Sequence, residues 1–199
     1  WRDITNATNE RTVIASVFPK LGTGDTLLLK YPKVHDLRLC AALTGCLCSI
    51  VLDYVTRQKI GGTHLKYNVF KQIAVLPPSA FTYADLAFIT PRVLELTYTS
   101  HAMRRWAEDL GHRGPPFAWD EQRRAQVRAE LDAFFAMKYG LTREELVYVL
   151  DPAKVKGPNY PSETFRVLKE KEERPPPQGF GEYRTERLVL AAFDRLTGV

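Results

Sequence analysis

Residues 36–78 read DLRLCAALTGCLCSIVLDYVTRQKIGGTHLKYNVFKQIAVLPP, and the fold turns on this stretch. Leu39, Leu43, Leu47, Ile50, Val51 and Tyr54 recur at three- and four-residue intervals, which puts them on one apolar face of a helix. Gly61-Gly62 marks its end, because glycine takes positive φ without a Cβ penalty. Gln72 to Leu76 (QIAVL) predicts a short strand, stopped by Pro77-Pro78. No acidic residue lies between Asp53 and Asp85, whereas Arg57, Lys59, Lys66 and Lys71 are all basic. A helix that delivers a glycine-hinged, purely cationic loop suits a polyanionic partner.

Upstream, Thr12 to Phe18 (TVIASVF) is a β-branched run ended by Pro19, Gly22-Thr-Gly24-Asp is a turn, and Thr26 to Tyr31 (TLLLKY) is a second short strand before Pro32. Thr5-Asn-Ala-Thr-Asn-Glu-Arg-Thr12 is dense in polar side chains and reads as a turn. Downstream the pattern is helical. A helix starts near Asp85, with Leu86, Ile89, Val93 and Leu96 inward and a kink or new start at Pro91. Asp120 is an N-cap for Glu121 to Tyr139, whose Arg123, Arg124 and Arg128 face Glu121, Glu130 and Asp132 on a solvated charged side. Thr142 and Glu145 form a capping box. Ser162 caps a short helix from Glu163 to Glu173, and a last amphipathic helix spans Glu182 to Leu196.

The 199 residues carry a net charge of +5, a mild lean towards acidic partners, and 45% apolar residues, enough for a core. Cys40, Cys46 and Cys48 lie on one helix but not on one face of it, so they read as core residues in a reducing, cytoplasmic setting rather than as disulfides or zinc ligands. The run from Leu37 to Val55 is patterned and interrupted by Arg38 and Asp53, unlike a membrane span. No glycine-rich phosphate loop, GxSxG, HExxH or DxDxDG motif occurs, which argues against a self-sufficient catalytic site.

Binding remains. Arg57, Lys59, Lys66 and Lys71 are candidates for phosphate contacts, and Thr63, His64, Tyr67 and Asn68 for base edges, where asparagine pairs with adenine. The rival reading is a helical protein–protein docking module with no nucleic-acid contact. Lysines paired off with carboxylates would favour that rival.

Two blocks carry a family likeness. The first is Asn9-Glu-Arg-Thr12 with Val13 to Pro19, the long helix, Gly61-Gly-Thr63 and Ala74-Val-Leu-Pro-Pro78; it resembles the target-recognition region of single-chain type IIG-like restriction–modification enzymes and N6-adenine DNA methyltransferases. The second is Ala129-Glu-Leu-Asp-Ala133, Tyr139-Gly-Leu141, Tyr148-Val-Leu-Asp-Pro152, Pro161-Ser-Glu-Thr-Phe-Arg-Val-Leu-Lys169 and Gly181-Glu-Tyr-Arg-Thr185; it is similar to the C-terminal tail of the same enzymes. The resemblance implies a piece of a longer polypeptide, with double-stranded DNA and an N-terminal methyltransferase domain as partners and S-adenosylmethionine as the parent's cofactor. Neither the Asn-Pro-Pro-aromatic active-site motif nor a cofactor glycine motif occurs here, so no catalytic or cofactor residue carries over. The expected fold class is α+β: a small mixed sheet with a long helix in the recognition unit, 1–84, and a helical support region, 85–199.

Overall fold

The computed structural model describes residues 1–161 and 164–198. Ten α-helices follow an extended N-terminal segment: α1 (Leu37–Cys48), α2 (Ile50–Arg57), α3 (Tyr67–Phe70), α4 (Tyr83–Thr97), α5 (Arg104–Asp109), α6 (Glu121–Lys138), α7 (Arg143–Leu150), α8 (Pro152–Lys156), α9 (Arg166–Glu173) and α10 (Arg184–Thr197). Helix, two short 3-10 turns included, accounts for 53% of the described residues, and among them there is no strand and no sheet. The expected α+β class is therefore wrong; the fold is helical.

The missing sheet has a local cause in each expected strand. Thr12 to Phe18 has its first amides taken by a side chain: the Thr12 and Val13 N–H groups donate to Asp53 Oδ1 at 2.7 and 2.6 Å. Segment 26–31 pairs with the N-terminus only through scattered bonds, Asp3 N to Thr26 O at 2.8 Å and Leu28 N to Trp1 O at 2.8 Å. Only isolated bridges result, Arg2 with Leu27 and Ile4 with His64. In 72–76 the Gln72 and Ile73 N–H groups turn back to Val69 O and Phe70 O, while Ala74 O accepts from the Tyr139 hydroxyl at 2.7 Å. β propensity measures fit to a half-buried ladder, and here side chains satisfy the backbone instead.

The central helix is also two helices. Its apolar period runs on through Ser49, yet α1 and α2 meet there at a 54° bend. Ser49 is extended (φ −72°, ψ 148°), and its side chain caps α2. The carboxylate of Asp132 on α6 then accepts from Ile50 N at 2.6 Å, which fixes the start of α2. No single helix is long and apolar enough to cross a membrane among the described residues.

The expected helix ends survive better. Thr82 with Asp85 and Thr142 with Glu145 form complete capping boxes, and Asp120 caps α6. The cap expected at Ser162, with the first turn at Glu163, lies outside the described residues. α6 is the hub, packed against α10, α4 and α2, while α1 packs on α4. One apolar cluster joins Trp1, Val13, Ala41 and Leu65 to Ile89, Phe134 and Phe135, and a second joins Ile50 and Val51 to Ala133, Leu146, Phe165 and Val189. Both clusters draw on residues from either side of position 84.

The charged side expected on α6 is only partly solvated. Arg123 pairs outside with Glu95 at 2.8 Å. Arg124, by contrast, is buried, donating to Leu96 O at 3.0 Å with its guanidinium 3.8 Å above the Trp119 ring, and Asp132 is buried against α2.

Candidate nucleic-acid interface

Segment 58–71 is pinned by three buried apolar residues, Ile60, Leu65 and Phe70. Between these anchors Lys59, Thr63, His64, Lys66, Tyr67, Asn68 and Lys71 are all exposed. The anchors rest on the N-terminal residues. Trp1 stacks on Phe70 with ring centroids 3.7 Å apart, meets Tyr67 edge-on at 4.9 Å, and donates from Nε1 to Leu65 O at 2.9 Å. Two backbone bonds, Thr5 N to Thr63 O at 3.0 Å and Leu65 N to Asp3 O at 2.7 Å, hold the segment's middle. The exposed side chains are thus carried on a fixed backbone, the arrangement that lowers the ordering cost of binding.

Arg57 does not belong to this set. It is buried, and its Nε donates to Asp53 Oδ2 at 2.8 Å. Its terminal nitrogens donate to the carbonyls of Ala7 (2.7 Å), Asn9 (2.7 Å), Glu10 (2.9 Å) and Thr164, and its guanidinium lies 4.5 Å from the Phe165 ring centroid. All of its donors are spent inside the protein, so it has none to offer a phosphate.

Lys66 and His64 share one partner. Lys66 Nζ donates to Asp3 Oδ2 at 2.6 Å, and His64 Nδ1 lies 3.0 Å from the same oxygen. The hydrogen bond from Lys66 holds the Asp3 carboxyl below its ordinary range; desolvation opposes this and His64 assists it. Asp3 is buried, but the Lys66 side chain keeps 59% of its surface exposed, so its head still faces solvent. Lys59 and Lys71 have no ion-pair partner among the described residues. The sequence-predicted site therefore divides: seven residues are exposed along segment 59–71, one cation among them is partly neutralised, and Arg57 lies inside.

Sequence reasoning missed two participants. Asp3 orients His64 and Lys66 from sixty residues upstream, with no local signal. The Tyr67 hydroxyl donates to Leu29 O at 2.9 Å, which brings segment 29–33 alongside with exposed Lys30, Tyr31 and Lys33. That second basic–aromatic run was legible as Lys-Tyr-Pro-Lys, but only as the end of a strand. Among the described residues no group of three or more His, Cys, Asp or Glu side chains is placed to hold a metal ion. Cys40 is half-buried, Cys46 buried and Cys48 exposed, each a free thiol. Comparison with family models, with curated proteins and with solved structures finds no match to this chain.

Proposed function

We propose that the surface from Lys59 to Lys71 recognises double-stranded DNA, with Lys59, Lys66 and Lys71 on phosphates and Thr63, His64, Tyr67 and Asn68 towards base edges. The observation that carries this reading is the alternation of buried anchors and exposed polar residues along one fixed segment, whose ion pairs among the described residues all go to one carboxylate, Asp3. The resemblance described above supplies the finer reading: the recognition region of an adenine-N6 DNA methyltransferase of the restriction–modification type. Its catalytic domain and S-adenosylmethionine site would lie elsewhere in the polypeptide. In that setting the chain holds the duplex while the catalytic domain acts on an extruded adenine.

Three phosphate contacts give a slope of log K against log salt of about −2.7, so a rise from 50 to 200 mM salt weakens binding roughly 40-fold. Fluorescence anisotropy of a labelled duplex against the full chain measures this slope. Lys59→Glu with Lys71→Glu should weaken binding across all duplexes and flatten the slope by about 1.8. Asn68→Ala should change which duplex is preferred. A wild-type slope near zero would exclude the reading.

A further inference from the structure

A second surface lies across the N-terminal segment from the proposed DNA face. Segment 14–32 stands off α1 and α5 and encloses an open cavity of about 900 Å³. One long side is a stripe of α1: Leu37, Cys40, Leu43 and Leu47, spaced as successive turns of one helix face. Met103 and Trp106 continue the apolar floor from the α5 side. α1 packs on α4, with Ala41 and Ala42 fully buried, while along this stripe Leu37, Cys40 and Leu43 stay partly exposed and Leu47 is buried. The opposite wall keeps large apolar side chains in solvent, with Phe18 47% and Leu21 63% exposed. Ten residues of helix run about 15 Å, the length over which a second helix of some three turns packs ridges into grooves. The rim is charged in one sense. Arg2, Lys20, Lys30 and Arg105 border the cavity, against one carboxylate, Asp109, which already lies 3.4 Å from Arg105.

We propose that this groove binds an amphipathic acidic helix of a partner protein, its apolar stripe against α1 and its carboxylates against Lys20, Lys30 and Arg105. The apolar floor selects a hydrophobic ridge, and the cationic rim selects acidic flanks over basic ones. The proposal does not depend on the DNA reading: none of the seven exposed residues assigned to DNA lines this groove, although Lys30 and Tyr31, which lie beside that segment, and its anchors Trp1 and Phe70 do.

The test is fluorescence anisotropy of the full chain with two labelled 14-residue helical peptides. Both carry leucines along one stripe; one has glutamate and the other lysine at the remaining positions. The acidic peptide is expected to bind saturably and at least tenfold more tightly than the basic one. Lys20→Glu with Arg105→Glu should weaken the acidic peptide at least tenfold, and the exposed-residue variant Phe18→Asp should weaken it as well. Lys59→Glu with Lys71→Glu should leave peptide binding unchanged while reducing DNA binding, so failure of one reading is distinguishable from failure of the other. No binding of the acidic peptide, equal binding of the two peptides, or indifference to the rim reversals would overturn the proposal. Self-association of the chain abolished by Phe18→Asp, seen by sedimentation, would overturn it in favour of a second copy as the occupant.

Discussion

Replacing Arg57 by alanine is the sharpest test of how the chain uses its positive charge. In the structure this side chain neutralises buried Asp53 and donates to four backbone carbonyls, three from residues 7–10 and one at Thr164. Alanine leaves Asp53 with the Thr12 and Val13 amides but without a counter-charge. Removing one member of a buried, hydrogen-bonded ion pair costs about 3–5 kcal/mol. In a domain of this size each kcal/mol moves Tm by about 2–4 °C, so Arg57→Ala should lower Tm by roughly 6–20 °C. Arg57→Lys keeps the charge but loses the planar fork that reaches several acceptors at once, and it should also destabilise by more than about 1 kcal/mol. Urea unfolding followed by circular dichroism gives both values. If Arg57→Ala were as stable as the wild type yet bound DNA with a slope shallower by about one, Arg57 would be a phosphate contact. The internal role assigned to it here would then be wrong.

Other packing and pairing claims can be checked in the same unfolding experiments. A methyl group added at Gly45 on α1 would lie 2.9 Å from the Phe135 ring and 3.3 Å from Val93 Cγ2, both in the core, so Gly45→Ala should destabilise by about 1–3 kcal/mol in spite of alanine's higher helix propensity. Tyr139→Phe removes the donor to Ala74 O and the contact with Cys46 Sγ, and should cost about 1 kcal/mol while loosening 72–76 in hydrogen exchange. The Asp3 carboxyl is depressed chiefly by Lys66, so the stability it contributes is present above the ordinary carboxylate value of 3.8 and is lost as pH falls through the lower folded value. Asp3→Asn should therefore be less stable than the wild type at pH 7, with the gap closing below about pH 4; a gap that persists at pH 2.5 would show that the carboxylate charge is not what stabilises.

Elements whose cause is local were readable in the sequence. Thr142 with Glu145 and Asp120 ahead of α6 specify helix starts within four residues, and both stand where expected. The break at Ser49 was not readable: the apolar period crosses it undisturbed, and the carboxylate that fixes α2 belongs to Asp132, 82 residues away. Two of the three expected strands failed for the same reason, since Asp53 and Tyr139 supply partners to 12–18 and 72–76 that local propensity cannot anticipate. At the candidate site, charge counting grouped Arg57 with three lysines because all four fall in one acid-free stretch. The i,i+4 spacing of Asp53 and Arg57 on a helix was the signal that separated it, since it brings the two into contact at 2.8 Å.

The two sequence blocks on which the proposed family reading rests come together at a single place in the fold. Arg11 reaches Asp132 at 3.0 Å, Thr12 reaches Asp53, and Phe165 lies buried beneath both guanidinium groups, 5.8 Å from Arg11 and 4.5 Å from Arg57. Glu10 also pairs with Lys171 on α9 at 2.8 Å. These residues are a structural knot: they tie the 5–13 turn, the end of α2 and the C-terminal tail into one body, with Asp53, Arg57 and Asp132 buried and the Glu10–Lys171 pair on the surface. The proposed recognition segment begins at the first residues beyond that knot. It is held to the rest of the protein by the buried Ile60, Leu65 and Phe70, by Asp3, which pairs with Lys66 and His64, by the Thr63 carbonyl and by the Tyr67 hydroxyl on Leu29 O. Substitutions at Lys59, Thr63, Asn68 or Lys71 therefore meet no buried partner, and altering what the segment reads does not require altering what holds the chain together. Among the residues proposed to read DNA, Lys59, Asn68 and Lys71 have the fewest structural duties, whereas His64, Lys66 and Tyr67 also bond to Asp3 or Leu29.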